Sequence, residues 1–199
     1  MSTHISDPQT LTVVPATLDD PRVQPLLTDL AREYATRYEK VLSAAELAEE
    51  MTHYPAAEFT APDGVLLLIL AGGITVAGGA LRTRTEPEIG DIKLGAFPEH
   101  SRTAAGTPAV RTAELKRIWT SPDHRRRGLG ARVLAELEAR ALLLGFSRIY
   151  LTTGPRQPEA EGLYLQAGYR PLYPLAPSYS NALPFEKWLS APTQGRLAS

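Results

Sequence analysis

The sequence predicts a single domain of the α/β (α+β) class, and three observations predict it. Strand-like and helix-like segments alternate along the chain, with no internal repeat and no linker that would divide it. One stretch reads strand, basic glycine-containing turn, amphipathic helix, strand, centred on Arg125-Arg126-Arg127-Gly128-Leu129-Gly130. The length, 199 residues, suits one domain with a sizeable core.

Residues 1–10 are polar and are expected to be disordered, as are residues 191–199, leaving one domain over 11–190. Leu11 to Pro15 reads as a first strand ending at proline. Asp19-Asp20-Pro21 opens a helix, with an Asp cap and proline in the first turn. Val23, Leu26, Leu27, Leu30, Tyr34 and Tyr38 then recur at helical spacing. Ser43, with Glu46 three residues on, fits a capping box and opens a second helix.

The unbroken apolar run from Gly64 to Leu70 is a buried strand. Ala71-Gly72-Gly73-Ile74 is a hairpin turn into a strand from about Thr75 to Thr85. Gly78-Gly79 within that strand calls for a bulge or close backbone packing. Glu86 to Thr112 reads as a long loop, with a short strand at Asp91 to Leu94.

Glu114 to Thr120 is a strand closed by Ser121-Pro122. The helix after the arginines carries Leu129, Val133, Leu137, Ala141 and Leu144 along one side and ends at Gly145, with Phe146 placed for a C-cap contact. Arg148 to Thr153 is a strand. Gln157-Pro158-Glu159 opens a helix that Gly168 closes, and Tyr169 to Leu172 with Phe185 to Leu189 form a last strand pair.

Composition narrows the function. The formal net charge is -1, so the arginine cluster is a local feature and general nucleic-acid binding is disfavoured. The chain has no cysteine, which removes disulfides, thiol catalysis and cysteine metal sites. His4, His53, His100 and His124 lack ligand spacing, so no metal is expected. No signal-peptide core is present, and the longest apolar run, Val65 to Ala71, is too short for a bilayer. A cytoplasmic protein without a membrane partner is the expectation.

The Arg-Gly turn fits a phosphate cradle. N–H groups of a turn and of a first helical turn lack intrahelical partners, and the helix dipole favours an anion there. Glycine admits close backbone approach, and arginine supplies fork-shaped donors. A solvated loop or part of a nucleic-acid patch would read similarly as an isolated hexapeptide. No GKS or GKT follows, and the three-glycine dinucleotide fingerprint is missing.

Three segments in order carry a resemblance: ELKRIWTSPDHRRRGLG, QPEAEGLYLQAGYRPL and PFEKWL. Together they resemble the GCN5-related N-acetyltransferase superfamily (GNAT), Arg125, Gly128 and Gly130 fitting its [RQ]-x-x-G-x-[GA] pattern. The match covers about Ala113 to Leu189. The resemblance implies a mixed, mostly antiparallel sheet with helices on both faces and two central parallel strands splayed apart. It implies that Arg125, Arg126, Arg127, Gly128, Leu129, Gly130 and Ala131 cradle the pyrophosphate of acetyl-CoA. Backbone groups of Ile118, Trp119 and Thr120 would meet the pantetheine arm, while their side chains pack in the core.

It also implies roles in transfer. Glu114 stands where the family often carries a glutamate that deprotonates the amine through water. A solvated Glu, or one paired with Lys116 or Arg117, is the alternative, and Glu86, Glu88 and Asp91 are rival bases. Tyr164 stands at the position of the family's general acid, with a core aromatic as the alternative. The family's Asn before this tyrosine is missing here, and Gln157 is the nearest amide.

The reading is an acetyl-CoA-dependent N-acetyltransferase acting on a primary amine by direct transfer in a ternary complex. The segment LAREYATRYE is similar to small-molecule members of the family, so a small-molecule amine is expected. The acceptor cleft would draw on Tyr34, Arg37, Tyr38, the Glu86–Thr112 loop and the Pro174–Pro184 loop with Tyr173 and Tyr179. A homodimer is compatible with the chain. The alternative is a non-catalytic acyl-CoA sensor or interaction module on the same fold.

Overall fold

The structure, a computed structural model, describes residues 10–38, 54–85, 110–173 and 182–189. The Ser43 helix, the Asp91 strand, Glu86, Glu88 and Tyr179 lie outside these residues, as do most of the two ends. The described elements are β1 (Leu11–Ala16), α1 (Gln24–Tyr38), β2 (Gly64–Ala71), β3 (Ile74–Thr83), β4 (Thr112–Thr120), α2 (Leu129–Leu143), β5 (Arg148–Thr153), α3 (Pro158–Gln166), β6 (Arg170–Pro171) and β7 (Leu183–Trp188).

The strands form one sheet in the order β1-β2-β3-β4-β5-β7-β6. Every pairing is antiparallel except β4 with β5. Pro15 sits in β1, at the edge of the sheet, where a missing N–H costs no ladder bond on the open side. Gly72 and Gly73 make the β2–β3 turn with φ of 56° and 84°, the left-handed pair that a two-residue hairpin needs.

Helices cover both faces. Val23, Leu26 and Leu30 of the α1 region pack with Phe59, Leu66, Leu68, Leu70, Ala80 and Trp119 on one face. Leu129, Val133, Leu134, Leu137 and Ala141 of α2, with Tyr164 of α3, pack on the other against Leu81, Leu115, Ile149 and Phe185. The apolar spacing read from the sequence is the buried stripe of each helix. α1 is led in by Asp20, whose carboxylate accepts from the Arg22 N–H at 2.9 Å. α2 ends in a Schellman arrangement, Phe146 N–H to Ala141 carbonyl at 2.9 Å and Gly145 N–H to Leu142 carbonyl at 3.0 Å. Gly168 ends α3 the same way, and the chain turns into β6.

Of the two alternatives for Gly78-Gly79, a bulge in that strand or close packing, the structure shows close packing. A Cβ on Gly78 would lie 2.8 Å from Leu26 Cδ1, and one on Gly79 would lie 2.6 Å from Ile118 Cδ1 and 2.9 Å from Val133 Cγ1. The two glycines let a helix close on each face. The bulge falls on the partner strand: Ala80 pairs with Lys116 but Gly78 with Trp119, so β4 carries the extra residue. Arg117 takes the strain at φ 57°.

Candidate acyl-CoA cleft

β4 and β5 pair only through Thr112–Arg148, Ala113–Ile149 and Glu114–Tyr150. Beyond that point residues 115–120 and 151–153 run on without pairing to each other, so backbone groups on the facing edges are left for a ligand. The gap opens into a cleft of about 880 Å³. Leu115 to Thr120 form one wall, Thr152, Thr153, Gln157 and α3 the other, and Leu30, Glu33 and Tyr34 of α1 border it. A separate hollow of about 500 Å³ beside β1 and the end of α2 is mainly apolar and has only Asp20 and Arg140 as charged lining residues.

The Arg-Gly turn stands at the end of β4. Pro122–His124 form a short 3-10 turn, Arg126 takes φ 60°, and Gly128 caps α2 at φ 76°. Among the described residues no side chain caps α2, so its first N–H groups are unclaimed by any described cap. A Cβ on Gly128 would meet nothing within 4 Å, so its glycine is required by backbone sign and leaves open space above the helix end. Gly130 is there for packing, since a Cβ would come 3.1 Å from Leu163 of α3. Arg125, Arg126, Gly128, Leu129, Gly130 and Ala131 line the cleft. Arg127 is in the turn, exposed, and is not among the lining residues. These residues fit a pyrophosphate: unclaimed N–H groups, room above glycine, and adjacent guanidinium groups.

Ile118, Trp119 and Thr120 border the cleft, while the Trp119 side chain is buried in the α1-side core and Ile118 packs on the α2 side. Tyr164 lines the cleft and is only 6% exposed. Its ring lies 5.8 Å from Tyr169 and 5.7 Å from Phe185. Burial, reinforced by nearby Tyr34, raises its pKa, so the phenol stays protonated and able to donate.

Glu114 is brought to the last paired position of β4 but is not among the lining residues. Its carboxylate is buried at 2% exposure and faces Arg82 at 2.7 Å, Lys116 at 3.0 Å and Arg84 at 3.1 Å. Burial pushes its pKa up, but the charges of Lys116 and Arg84 outweigh this and hold the carboxyl below its ordinary value. Lys116, which the sequence offered as a pairing partner, is one. Gln157 lines the cleft, and its side-chain oxygen accepts from Thr153 Oγ1 at 2.7 Å, closing the turn between β5 and α3.

Sequence reasoning missed Arg82 and Arg84 around Glu114 and Glu33 beside Arg125. Neither set has a local motif, because the partners come from different elements. The i,i+4 spacing of Glu33 and Arg37 was the one available signal, and it reads as an ordinary helix pair.

Among the described residues no helix is long and apolar enough to cross a membrane, and no group of acids and histidines could hold a metal. Comparison with known proteins is consistent with the cleft. The chain is similar to an acetyltransferase of the GNAT family from Staphylococcus aureus Mu50, at 12% identity and a TM-score of 0.61, covering 91% of this chain and 100% of that one. It is similar to the PaiA N-acetyltransferase of Thermoplasma acidophilum in complex with coenzyme A, at 13% identity and TM-score 0.58, covering 90% and 99%. A predicted acetyltransferase of Clostridium acetobutylicum, solved with acetyl-CoA, aligns at 16% identity and TM-score 0.55, covering 81% and 90%. No curated protein matches. The family model described as "Acetyltransferase (GNAT) family" matches residues 27–169, from α1 through the splayed strands and the phosphate turn to Tyr164 and Tyr169. This span is most of the chain and holds the whole cleft, and the protein belongs to the GNAT acetyltransferase family.

Proposed function

We propose that this protein transfers an acetyl group from acetyl-CoA to a primary amine, of a small molecule, by direct transfer in a ternary complex. The observation that carries the reading is the cleft between β4 and β5, with a phosphate turn at one end and the Tyr164 phenol in its wall. Acetyl-CoA supplies the acyl group on a thioester when bound. The N–H groups at the start of α2, with Arg125 and Arg126, hold its phosphates, and the unpaired edge of residues 115–120 bonds the amide-bearing arm. With acetyl-CoA so held, its thioester would lie within reach of Tyr164, which lines the same cleft.

Attack by the amine forms a C–N bond and breaks the C–S bond, so a proton must leave nitrogen and charge must be stabilised on sulfur. Tyr164 donates a hydrogen bond to the departing sulfur. Its raised pKa lies above that of an ordinary thiol, so stabilisation by hydrogen bonding is favoured over complete proton loss. Glu114 as the base must act from within its cation shell, through water. The lowered pKa and three cations favour a second role for it, as the buried anion that ties β3 to β4.

Calorimetric titration with acetyl-CoA, coenzyme A and ATP tests the reading. Micromolar binding of both CoA species, far tighter than ATP, is expected, followed by amine-dependent thiol release. Binding without release for any amine would leave a non-catalytic acyl-CoA sensor. No binding would overturn the reading.

A further inference from the structure

α1 borders the cleft and bonds to both of its walls. Glu33 sits between two arginines: Oε2 accepts from Arg125 Nη2 at 3.0 Å, and Oε1 pairs with Arg37 Nη2 at 2.7 Å. Arg37 continues to the opposite wall, donating from Nη1 to the Arg156 carbonyl at 2.6 Å and pairing with Glu159 at the start of α3. Arg156 returns a bond from Nη1 to the Arg37 carbonyl at 2.9 Å. The contact is close enough that a Cβ on Gly154 would overlap the Tyr38 hydroxyl.

Arg125 is therefore held along one edge of its guanidinium. Nη2 meets Glu33, and Nε reaches the Thr120 carbonyl at a long 3.4 Å. Its Nη1 donors are not committed to any described residue, and the side chain lines the cleft. An unanchored arginine has much rotamer freedom to lose on meeting phosphate, and anchoring removes that cost in advance. Glu33 is shared between Arg125 and Arg37, and Glu159, which pairs with Arg37, also acts on Arg125 through its charge.

We propose that Glu33 is a positioning residue for the phosphate cradle: it holds Arg125 by its Nε–Nη2 edge and leaves Nη1 for the pyrophosphate. Through Arg37 the same carboxylate ties the phosphate turn to the start of α3, so α1 sets the separation of the two walls. The inference rests on the acyl-CoA reading above.

The test is a double-mutant cycle read by calorimetric titration of coenzyme A into wild type, Glu33→Gln, Arg125→Ala and the double variant. Glu33→Gln should weaken binding about fivefold in the wild-type background, the size expected of a partly exposed ion pair. It should cost nothing further once Arg125 is alanine. An equal loss in both backgrounds would make Glu33 a packing residue and overturn the proposal. Unchanged affinity in Glu33→Gln would overturn it too, and tighter binding would mean that Glu33 competes with phosphate for Arg125. Arg125→Lys reads the same point without touching α1. It keeps the charge but has no planar edge to hold, so it should bind coenzyme A about as weakly as Glu33→Gln. Wild-type affinity in Arg125→Lys would overturn the proposal. Failure of wild type to bind coenzyme A would instead remove the acyl-CoA reading itself, whereas tight wild-type binding with a flat Glu33 series removes the positioning role alone.

Discussion

Tyr164 and Glu114 are both buried and burial raises both pKa values, but only Glu114 has cations beside it that reverse the shift. The phenol is neutral in its resting form, so a dry site costs it little and keeps its proton. Tyr164→Phe removes the donor and keeps the ring among Tyr169 and Phe185. Turnover should fall about tenfold to a hundredfold with coenzyme A affinity unchanged, as steady-state kinetics and titration would show. An unchanged rate would return Tyr164 to the core. Glu114 is charged and tolerates burial only through Arg82, Arg84 and Lys116. Glu114→Gln removes the carboxylate that Arg82, Arg84 and Lys116 share, Arg82 keeping Glu58, and should destabilise the fold by about 3 kcal/mol in urea unfolding. Its folded pKa is below the free value of 4.5, so its contribution is whole above that pH and is lost as pH falls through the folded value. The acid limb of a stability–pH curve should therefore flatten in the variant. Turnover separates its two roles. Loss of a base would cut the rate most at low pH, where free amine is scarce, whereas an unaltered pH profile leaves Glu114 a structural ion.

At the scale of the element, β3 and β4 make the cleft possible. Gly78 and Gly79 bring α1 and α2 close to the sheet, and the extra residue at Arg117 bends β4 where it parts from β5. Gly79→Val would press on Ile118, Val133 and Leu137. Overpacking of this kind costs about 1–3 kcal/mol. Because Ile118 belongs to the cleft wall, the thermal midpoint and coenzyme A affinity should fall together. A loss of stability with affinity intact would show that the wall is insulated from the packing behind it. Much of this element was legible. Gly78-Gly79 announced an irregularity because glycine pairs are costly in a strand interior. That the bulge lies on the neighbouring strand, at an arginine, was not legible, because register depends on both strands.

At the scale of the whole molecule, the described residues form a seven-stranded sheet with α1 on one face and α2 with α3 on the other, and the cleft interrupts it at the one parallel junction between described strands. A ligand in that gap bridges two halves that share few direct backbone bonds, so binding should stabilise the fold as a unit. At a hundredfold excess over Kd, acetyl-CoA should add about 2.7 kcal/mol and raise the melting temperature by several degrees, with no shift from ATP at the same concentration. Equal shifts from both ligands would point to anion binding without recognition of the pantetheine arm.

The sequence by itself determined what short-range physics determines. The α2 stripe, the glycine stops at Gly145 and Gly168, the Gly72-Gly73 hairpin and the Arg125–Gly130 turn each depend on neighbours a few residues apart, and each is where the chain announced it. The family resemblance rested on the same contiguous segments, and the family model matches the first of them and the second as far as Tyr169, ending before PFEKWL. Only the tertiary structure decided the rest. Arg82 of β3 and Arg84 just past its end complete the cation shell of Glu114, and the Glu33–Arg125 pair joins residues 92 positions apart. β7 inserts between β5 and β6, so the last described strand is not the last in the sheet. Such contacts carry no local periodicity. They are set by which surfaces remain unpaired once every helix and strand has buried its own apolar face.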